Sequence, residues 1–438
     1  MDMKSNGNRH VRASARGPLS WTRRDFLKGA AATAAGVIAA PTIITSTALG
    51  SAKRSSANER INMGVIGCGE RGCYVMKAFL AQPDTHVVAV CDVFRPKRLL
   101  GQEIVNTQYG NRDCAAYVDF LELLARPDID AVLIATGDNW HSGVSIMAAR
   151  AGKDIYCEKP LSVTLMESRA VSDEMKRLGR IFQCGTQRRS VGHFIFAVNL
   201  ARSGKLGRIK EMQAEQSPGW IQGYDTILPE EPEPQREEFD WNRWLGPAAW
   251  RPYNGKYQTR GFWSGHWDFS GASIAEWGSH TVDLCQWANN SDDTGPVEFW
   301  REEDRFLAKY ASGVRLVIRN GLRFGSCPIR IEGEEGYVET GDSGEMEVYP
   351  KSLLGDRKFL GGYPPDDHAR AFLDCVKTRQ QTISNAEVAH RSISVCHLAN
   401  ICKRLDRPVK WDPATERCID DPQANRMLSR AYREPWYL

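Results

Sequence analysis

The chain has 438 residues, 42% of them hydrophobic and 25% charged, which is ordinary for a folded protein and long enough to favour two domains over one core. Its net charge of +3 comes from the start: the first fifty residues hold seven Lys/Arg against two Asp/Glu, and without them the balance is −2. No basic surplus is left to suggest nucleic acid or an anionic membrane as a partner.

The N-terminal stretch "TRRDFLKGAAATAAGVIAAP" has the form of a twin-arginine signal, with Arg23-Arg24 followed by Phe26, Leu27 and Lys28. Gly29 to Gly50 is uncharged but made mostly of Ala, Thr and Gly, with Pro41 inside, which is too weakly apolar for a spanning helix. The expectation is a signal over residues 1–50 and cleavage near Gly50 or Ala52. The mature protein would then be periplasmic or otherwise exported by the twin-arginine machinery, without stable membrane insertion. Twelve Cys stand singly with no C-x-x-C pair, so they read as small buried hydrophobes.

After a polar linker over 51–60, strand and helix patterns alternate. Strands are expected at 62–66 and 86–91 and helices at 71–81 and 97–106, with a turn at Phe94-Arg95-Pro96. The run "AVLIAT" is a buried strand, "HSGVSIMAARAGK" a helix and "DIYCEKP" another strand. Units of this length imply a doubly wound parallel sheet over 61–185. From residue 186 the pattern changes to period two in "RIKEMQAEQ", "RFLAKYA", "VRLVIRN", "IRIEGEEGYVET" and "EMEVYP". That predicts an α+β domain to residue 438 with an open, mostly antiparallel sheet. Helices are expected over 369–379 and 386–404, the second capped by Ser384 with Glu387. "PEEPEPQREE" reads as a solvated acidic loop.

The first chemical signal is Gly67-Cys68-Gly69-Glu70-Arg71-Gly72 between a strand and a helix. One glycine makes the tight turn, one lets the backbone approach a pyrophosphate, and one lets the helix pack closely. Asp92 ends the next strand, 20 residues past Gly72, where an acid accepts from a ribose hydroxyl and repels a 2′-phosphate. NAD is therefore favoured over NADP, with Arg95 and Lys97 nearby tempering the preference. The second signal is Glu158-Lys159-Pro160 at a strand's carboxyl end, where a lysine could stabilise a forming alkoxide. Alone, the pair also fits an ordinary surface Lys–Glu contact.

Together with "IATGDNWH", "FQCGTQRRS" and "DFSGASIAEWGSH", these residues resemble the glucose–fructose oxidoreductase, inositol dehydrogenase and rhizopine-catabolism (Gfo/Idh/MocA) family over nearly the whole mature chain. The resemblance implies that Lys159 lies beside nicotinamide and substrate. It also implies that Gly271, Glu276 and His280 form the second signature, with His280 as the general base. Glu276 stands where that family usually has Asp, which shifts the carboxylate by one methylene. Thr136, Trp140 and His141 would line the cofactor, with Gly137 where the family often has Pro, and Gln187 and Arg188 would close over the nucleotide.

Nine of thirteen Trp fall between Trp220 and Trp300, a concentration that favours a carbohydrate substrate, although most such rings serve packing. His266 and Trp267 are the preferred substrate contacts and His368 a further candidate; His390 and His397 read as structural. No cluster has metal-ligand spacing.

The leading expectation is an NAD-dependent oxidoreductase acting on a sugar, glycoside or polyol hydroxyl. Outside the cytoplasm a released NADH is lost, so a tightly held cofactor with redox-neutral chemistry is the alternative. That chemistry would be hydride exchange between sugars, or glycoside hydrolysis through a transient ketone with His266 or Tyr224 as a second base. A non-catalytic carbohydrate- or nucleotide-binding protein is the third reading. The resemblance further implies a homodimer or homotetramer paired through the open sheet face.

Overall fold

The computed structural model describes residues 55–216 and 223–437. The twin-arginine segment, the first part of the linker and Trp220 lie outside the described residues. Six parallel strands form the first sheet: β1 (Ile61–Ile66), β2 (Thr85–Cys91), β3 (Ala115–Tyr117), β4 (Ala131–Ile134), β5 (Asp154–Cys157) and β6 (Phe182–Cys184). Their order is β3-β2-β1-β4-β5-β6, so the winding reverses between β1 and β4 and a crevice opens at their carboxyl ends. Every residue of β4 is buried, as parallel strands covered on both faces require.

The longer helices of this half are α1 (Glu70–Leu80), α2 (Arg95–Tyr109), α3 (Asp138–Arg150) and α4 (Leu165–Leu178). Three differ from the sequence reading. α2 starts at Arg95, because Pro96 in a first turn has no N–H to satisfy and its φ already suits a helix. α3 starts at Asp138, three residues before the helix read from His141, so Trp140 is helical rather than in a loop. α4 went unread because Ser168 and Ser172 occupy buried positions and thin its apolar stripe. Its start is fixed by Glu167, whose Oε2 accepts from the backbone N–H groups of Val163 (2.9 Å) and Thr164 (3.0 Å).

The second sheet has nine strands: β7 (Ile209–Glu215), β8 (Glu298–Glu302), β9 (Arg305–Lys309), β10 (Arg315–Arg319), β11 (Ile329–Gly333), β12 (Tyr337–Thr340), β13 (Met346–Tyr349), β14 (Val409–Asp412) and β15 (Arg417–Cys418). Their order is β13-β12-β11-β7-β10-β9-β8-β14-β15, and only β7 and β10 pair in parallel. Helices α5 (Gly192–Arg202), α6 (Ala272–Ala288) and α8 (Ala386–Leu405) pack on one face of it. The other face carries cross-strand ion pairs, Arg315–Glu211 at 2.5 Å and Arg330–Glu339 at 3.0 Å, beside apolar residues such as the register partners Leu307 and Val317. The cap of α8 is Asn385, whose Oδ1 accepts from Glu387 and Val388; Ser384 instead shares a 2.7 Å hydrogen bond with Thr186.

Two segments of the second half return to the first. Helix α7 (Asp366–Thr378) puts Phe372 edge-on to Phe79 and Tyr156 in the first sheet's core. Residues 238–240 lie antiparallel to the turn after β2, with the Arg95 N–H donating to Glu238 O (2.9 Å) and the Asp240 N–H to Val93 O (3.1 Å). Behind that strap, Phe239, Trp241, Tyr257 and Phe269 form a small core of their own. All twelve Cys are free thiols, eleven of them buried and Cys375 half-buried. Among the described residues no helix is long and apolar enough to cross a membrane.

Candidate active site

The glycine loop joins β1 to α1. Gly67 adopts φ +95°, and a Cβ there would sit 2.4 Å from Ala135 O. A Cβ on Gly72 would sit 2.1 Å from Gly67 O. The protein itself therefore demands these two glycines. Gly69 differs: a Cβ there would meet nothing within 4 Å, so its surroundings are open where a pyrophosphate would lie against the backbone. Asp92 closes the loop from beside, Oδ2 accepting from the Cys68 N–H (2.8 Å) and Oδ1 from the Phe94 N–H (2.9 Å). Burial lifts its pKa although both backbone donors oppose that. Glu70 stands exposed, and Arg71 is turned inward to Glu158, 3.0 Å away.

Past β5, Lys159 reaches across to α6. Its Nζ donates to Glu276 Oε2 (2.6 Å) and to the Glu276 main-chain oxygen (2.8 Å). An ammonium has three N–H groups, so one is left for a ligand. Arg260 Nη2 holds the other carboxylate oxygen of Glu276 at 3.2 Å. Burial alone would raise the Glu276 pKa; the Lys159 and Arg260 charges outweigh it and hold the carboxyl below its usual range. Glu276 thus spends its length in aiming Lys159. One helical turn on, His280 is buried, with no partner for Nδ1. Burial, reinforced by the charges of Arg188, Lys159 and Arg71, pushes its pKa well down, so the ring stays neutral in the empty site.

Beyond β6, Arg188 forms a buried two-pronged pair with Asp342 (2.8 and 2.5 Å) and lies over the Tyr363 ring. Its Nη1 has no partner, and neither has Gln187 Oε1 beside it. Arg189, the next residue, is wholly structural, tied to Asp283 and Asp292 at 2.7 Å each. Glu158 Oε2 and Asp138 Oδ2 are also buried and unpartnered. Five orphaned polar atoms therefore gather at this end of the crevice: those of Asp138, Glu158, Gln187 and Arg188 on residues just past β4, β5 and β6, and that of His280 one turn of α6 from Glu276. Native proteins satisfy nearly all buried polar groups, each orphan costing about 1–3 kcal/mol, so this cluster fits a polar ligand and the nicotinamide end of a dinucleotide.

Other sequence candidates are occupied by the fold. His141 has Nδ1 2.7 Å from Pro160 O and Nε2 3.2 Å from Thr136 O, pinning the E-K-P turn to the loop after β4. Trp140 donates Nε1–H to Arg243 O (2.8 Å) and packs edge-on to Trp436. Thr136 borders Gly67, its hydroxyl donating to Gly137 O. His266 is buried in the aromatic core, Nδ1 accepting from the Asp268 N–H, and Trp267 lies under the Arg404 guanidinium. His368 is fully buried; Nε2–H donates to Cys184 O (2.8 Å) while Nδ1 meets Ser190 Oγ (2.7 Å). Neither His266 nor His368 has a free nitrogen for substrate. The Tyr224 hydroxyl donates to Phe262 O, and burial raises its pKa to about 12, so it is no base either. Sequence reasoning missed Asp138 and Arg260; the first could have been found as the residue opening a helix at the crevice end of a strand.

Residues 61–186 match the family model described as "Oxidoreductase family, NAD-binding Rossmann fold", and residues 219–438 the one described as "Oxidoreductase family, C-terminal alpha/beta domain". Over 150 residues the chain is 33% identical to scyllo-inositol 2-dehydrogenase (NAD(+)) of Bacillus subtilis, covering 34% of this chain and 42% of that protein. Over 128 residues it is 34% identical to a glycosyl hydrolase family 109 protein of Saccharopolyspora erythraea, covering 28% of each. The chain thus spans less than half the length of these curated relatives. The aldose–aldose oxidoreductase of Caulobacter crescentus, solved with glycerol, shares the fold with a TM-score of 0.58 at 20% identity, over 80% of this chain and 99% of that one. The two matches together cover all of the first sheet and all of the second but β7, and on them the chain belongs to the Gfo/Idh/MocA oxidoreductase family.

Proposed function

We propose that the protein is an NAD-dependent oxidoreductase acting on a hydroxyl of a sugar, glycoside or polyol. The observation that carries this reading is the gathering of orphaned buried polar atoms at the end of the crevice that holds Lys159 and Glu276. Gly67, Gly69, Gly72 and Asp92 would hold the dinucleotide, and the bound nicotinamide supplies the acceptor for the carbon-bound hydrogen. Lys159 donates its remaining N–H to the substrate oxygen and stabilises negative charge there. His280 takes the hydroxyl proton at Nδ1. Glu276 positions Lys159 from behind. Lys159→Met and His280→Gln are expected to lower turnover by about 10²–10⁴-fold each while leaving bound nucleotide unchanged. Full activity in either variant sinks the mechanism.

The strap at residues 238–240 rests on the turn just after Asp92, where the ribose would sit, and so favours a cofactor that stays bound. A retained cofactor suits redox-neutral chemistry, including glycoside hydrolysis through a transient ketone, to which the likeness to glycosyl hydrolase family 109 proteins also points. Denaturing the purified protein and assaying the supernatant decides: near-equimolar NAD(H) supports retention, while an empty protein removes it. Release of NADP(H) would overturn the assignment of Asp92. Export through Arg23-Arg24 and assembly as a homodimer or homotetramer belong to the same proposal. Arg23→Lys/Arg24→Lys should trap the precursor in the cytoplasm, and light scattering should give a mass above one chain.

A further inference from the structure

Helix α3 opens with Asp138, the fourth residue past β4. The side chain is 3% exposed, yet Oδ2 has no hydrogen-bond partner. Its neighbours are locked: Asn139 Nδ2 donates to Leu245 O (3.0 Å), Trp140 is held by Arg243 O, and Arg430 Nη2 reaches Asn139 O at 3.4 Å. The turn cannot swing outward to wet the carboxyl. Beside it Ser270, fully buried just before α6, turns its hydroxyl to the Asp138 carboxyl and has no other partner. Asp138 Oδ2 stays open at the crevice with one hydroxyl beside it, a buried polar pair short of partners that calls for a polar ligand.

We propose that Asp138 and Ser270 form the specificity-determining wall of the site and hydrogen-bond the substrate hydroxyl next to the one oxidised. The proposal rests on the sugar reading above. The charges that act on Asp138 are those of Glu276 on α6, Lys159 after β5 and Arg260, and its own acts on Cys157. Two carboxyls in one dry site do not both ionise easily, and Glu276 takes the charge because Lys159 and Arg260 touch it. Burial, and then the Glu276 charge, push the Asp138 pKa well up, so it keeps its proton. A protonated carboxyl donates as well as accepts, and can therefore grip a hydroxyl in either sense. A site built this way rejects a substrate lacking that hydroxyl, which would leave Asp138 unpaired.

The test is binding, which needs no turnover. Thermal-midpoint titrations of the nucleotide-loaded protein with myo-inositol, glucose and methyl glucoside, and with their monodeoxy analogues, are compared among wild type, Asp138→Asn, Asp138→Leu and Ser270→Ala. Asp138→Leu should weaken polyol binding by about a hundredfold or more and abolish discrimination against one deoxy position; Asp138→Asn, which keeps a donor and an acceptor, should lose less than about tenfold. Wild-type affinity should fall at alkaline pH as Asp138 ionises beside Glu276, and the Asn variant should stay flat. Unchanged binding or unchanged deoxy discrimination in the Leu variant overturns the wall. Equal losses in the Asn and Leu variants overturn the neutral acid. Wild type that binds polyols but never oxidises them refutes the oxidoreductase reading alone.

Discussion

At the residue scale, the glycine loop separates demands made by the fold from demands made by a ligand. A methyl group on Gly72 would overlap the Gly67 carbonyl, whereas one on Gly69 would point into open space. Gly72→Ala is therefore expected to destabilise the fold by about 2–3 kcal/mol, read as a lower denaturation midpoint. Gly69→Ala should leave that midpoint within about 0.5 kcal/mol and still weaken nucleotide binding severely in a titration. Equal loss of stability in both would remove the argument that open space at Gly69 is kept for a pyrophosphate. The same separation applies to Q-R-R, where Arg189 spends all its donors on protein and Arg188 keeps one back.

At the scale of elements, the strap from the second half lies against the β2 turn, and on the proposed reading it would cover the adenosine end of the crevice. Phe94 and Phe239 meet edge-on there, 5.6 Å between ring centres. Phe239→Ala should loosen the strap and raise the rate of nucleotide release by tenfold or more, about 1.4 kcal/mol, measured by displacement with excess labelled NAD. An unaltered release rate would separate the strap from retention. The sequence made the crevice readable because its signals are local: six residues hold the glycine loop, and E-K-P directly follows a strand. It hid the strap and the Arg188–Asp342 pair because such partners lie far apart, 154 residues for that pair. The ring nitrogens of His266, His368 and Trp140 go to partners within the protein. A histidine or tryptophan in a polar stretch reads as available for ligand until the carbonyls that occupy its nitrogens are known.

For the whole molecule, the buried histidines set its response to acid. Burial lowers the pKa of His368 to about 4 and that of His397 to about 3, and pushes His141, His193, His266, His280 and His390 down as well. The unfolded chain takes up these protons near pH 6.5, as an ordinary histidine does. Stability is therefore complete above about pH 6.5 and falls as pH drops from there towards 4, by up to about 1.4 kcal/mol per pH unit for each such ring. A thermal midpoint that drops steeply between about pH 7 and pH 5, before carboxylates titrate, checks this. A midpoint level across that range would mean the rings are charged in the fold. His397→Gln should flatten the slope.

The thiols carry a last consequence. Folded, eleven of the twelve are buried away from dissolved oxidant. Unfolding sets all twelve free on one mobile chain, where any pair can oxidise together and few of the resulting links fit the native arrangement. In air the protein should melt once and never recover, while the same melt under reductant should reverse at least in part. Its lifetime in an oxidising medium would then depend on how rarely it opens, and the unfolding rate would matter more than the equilibrium.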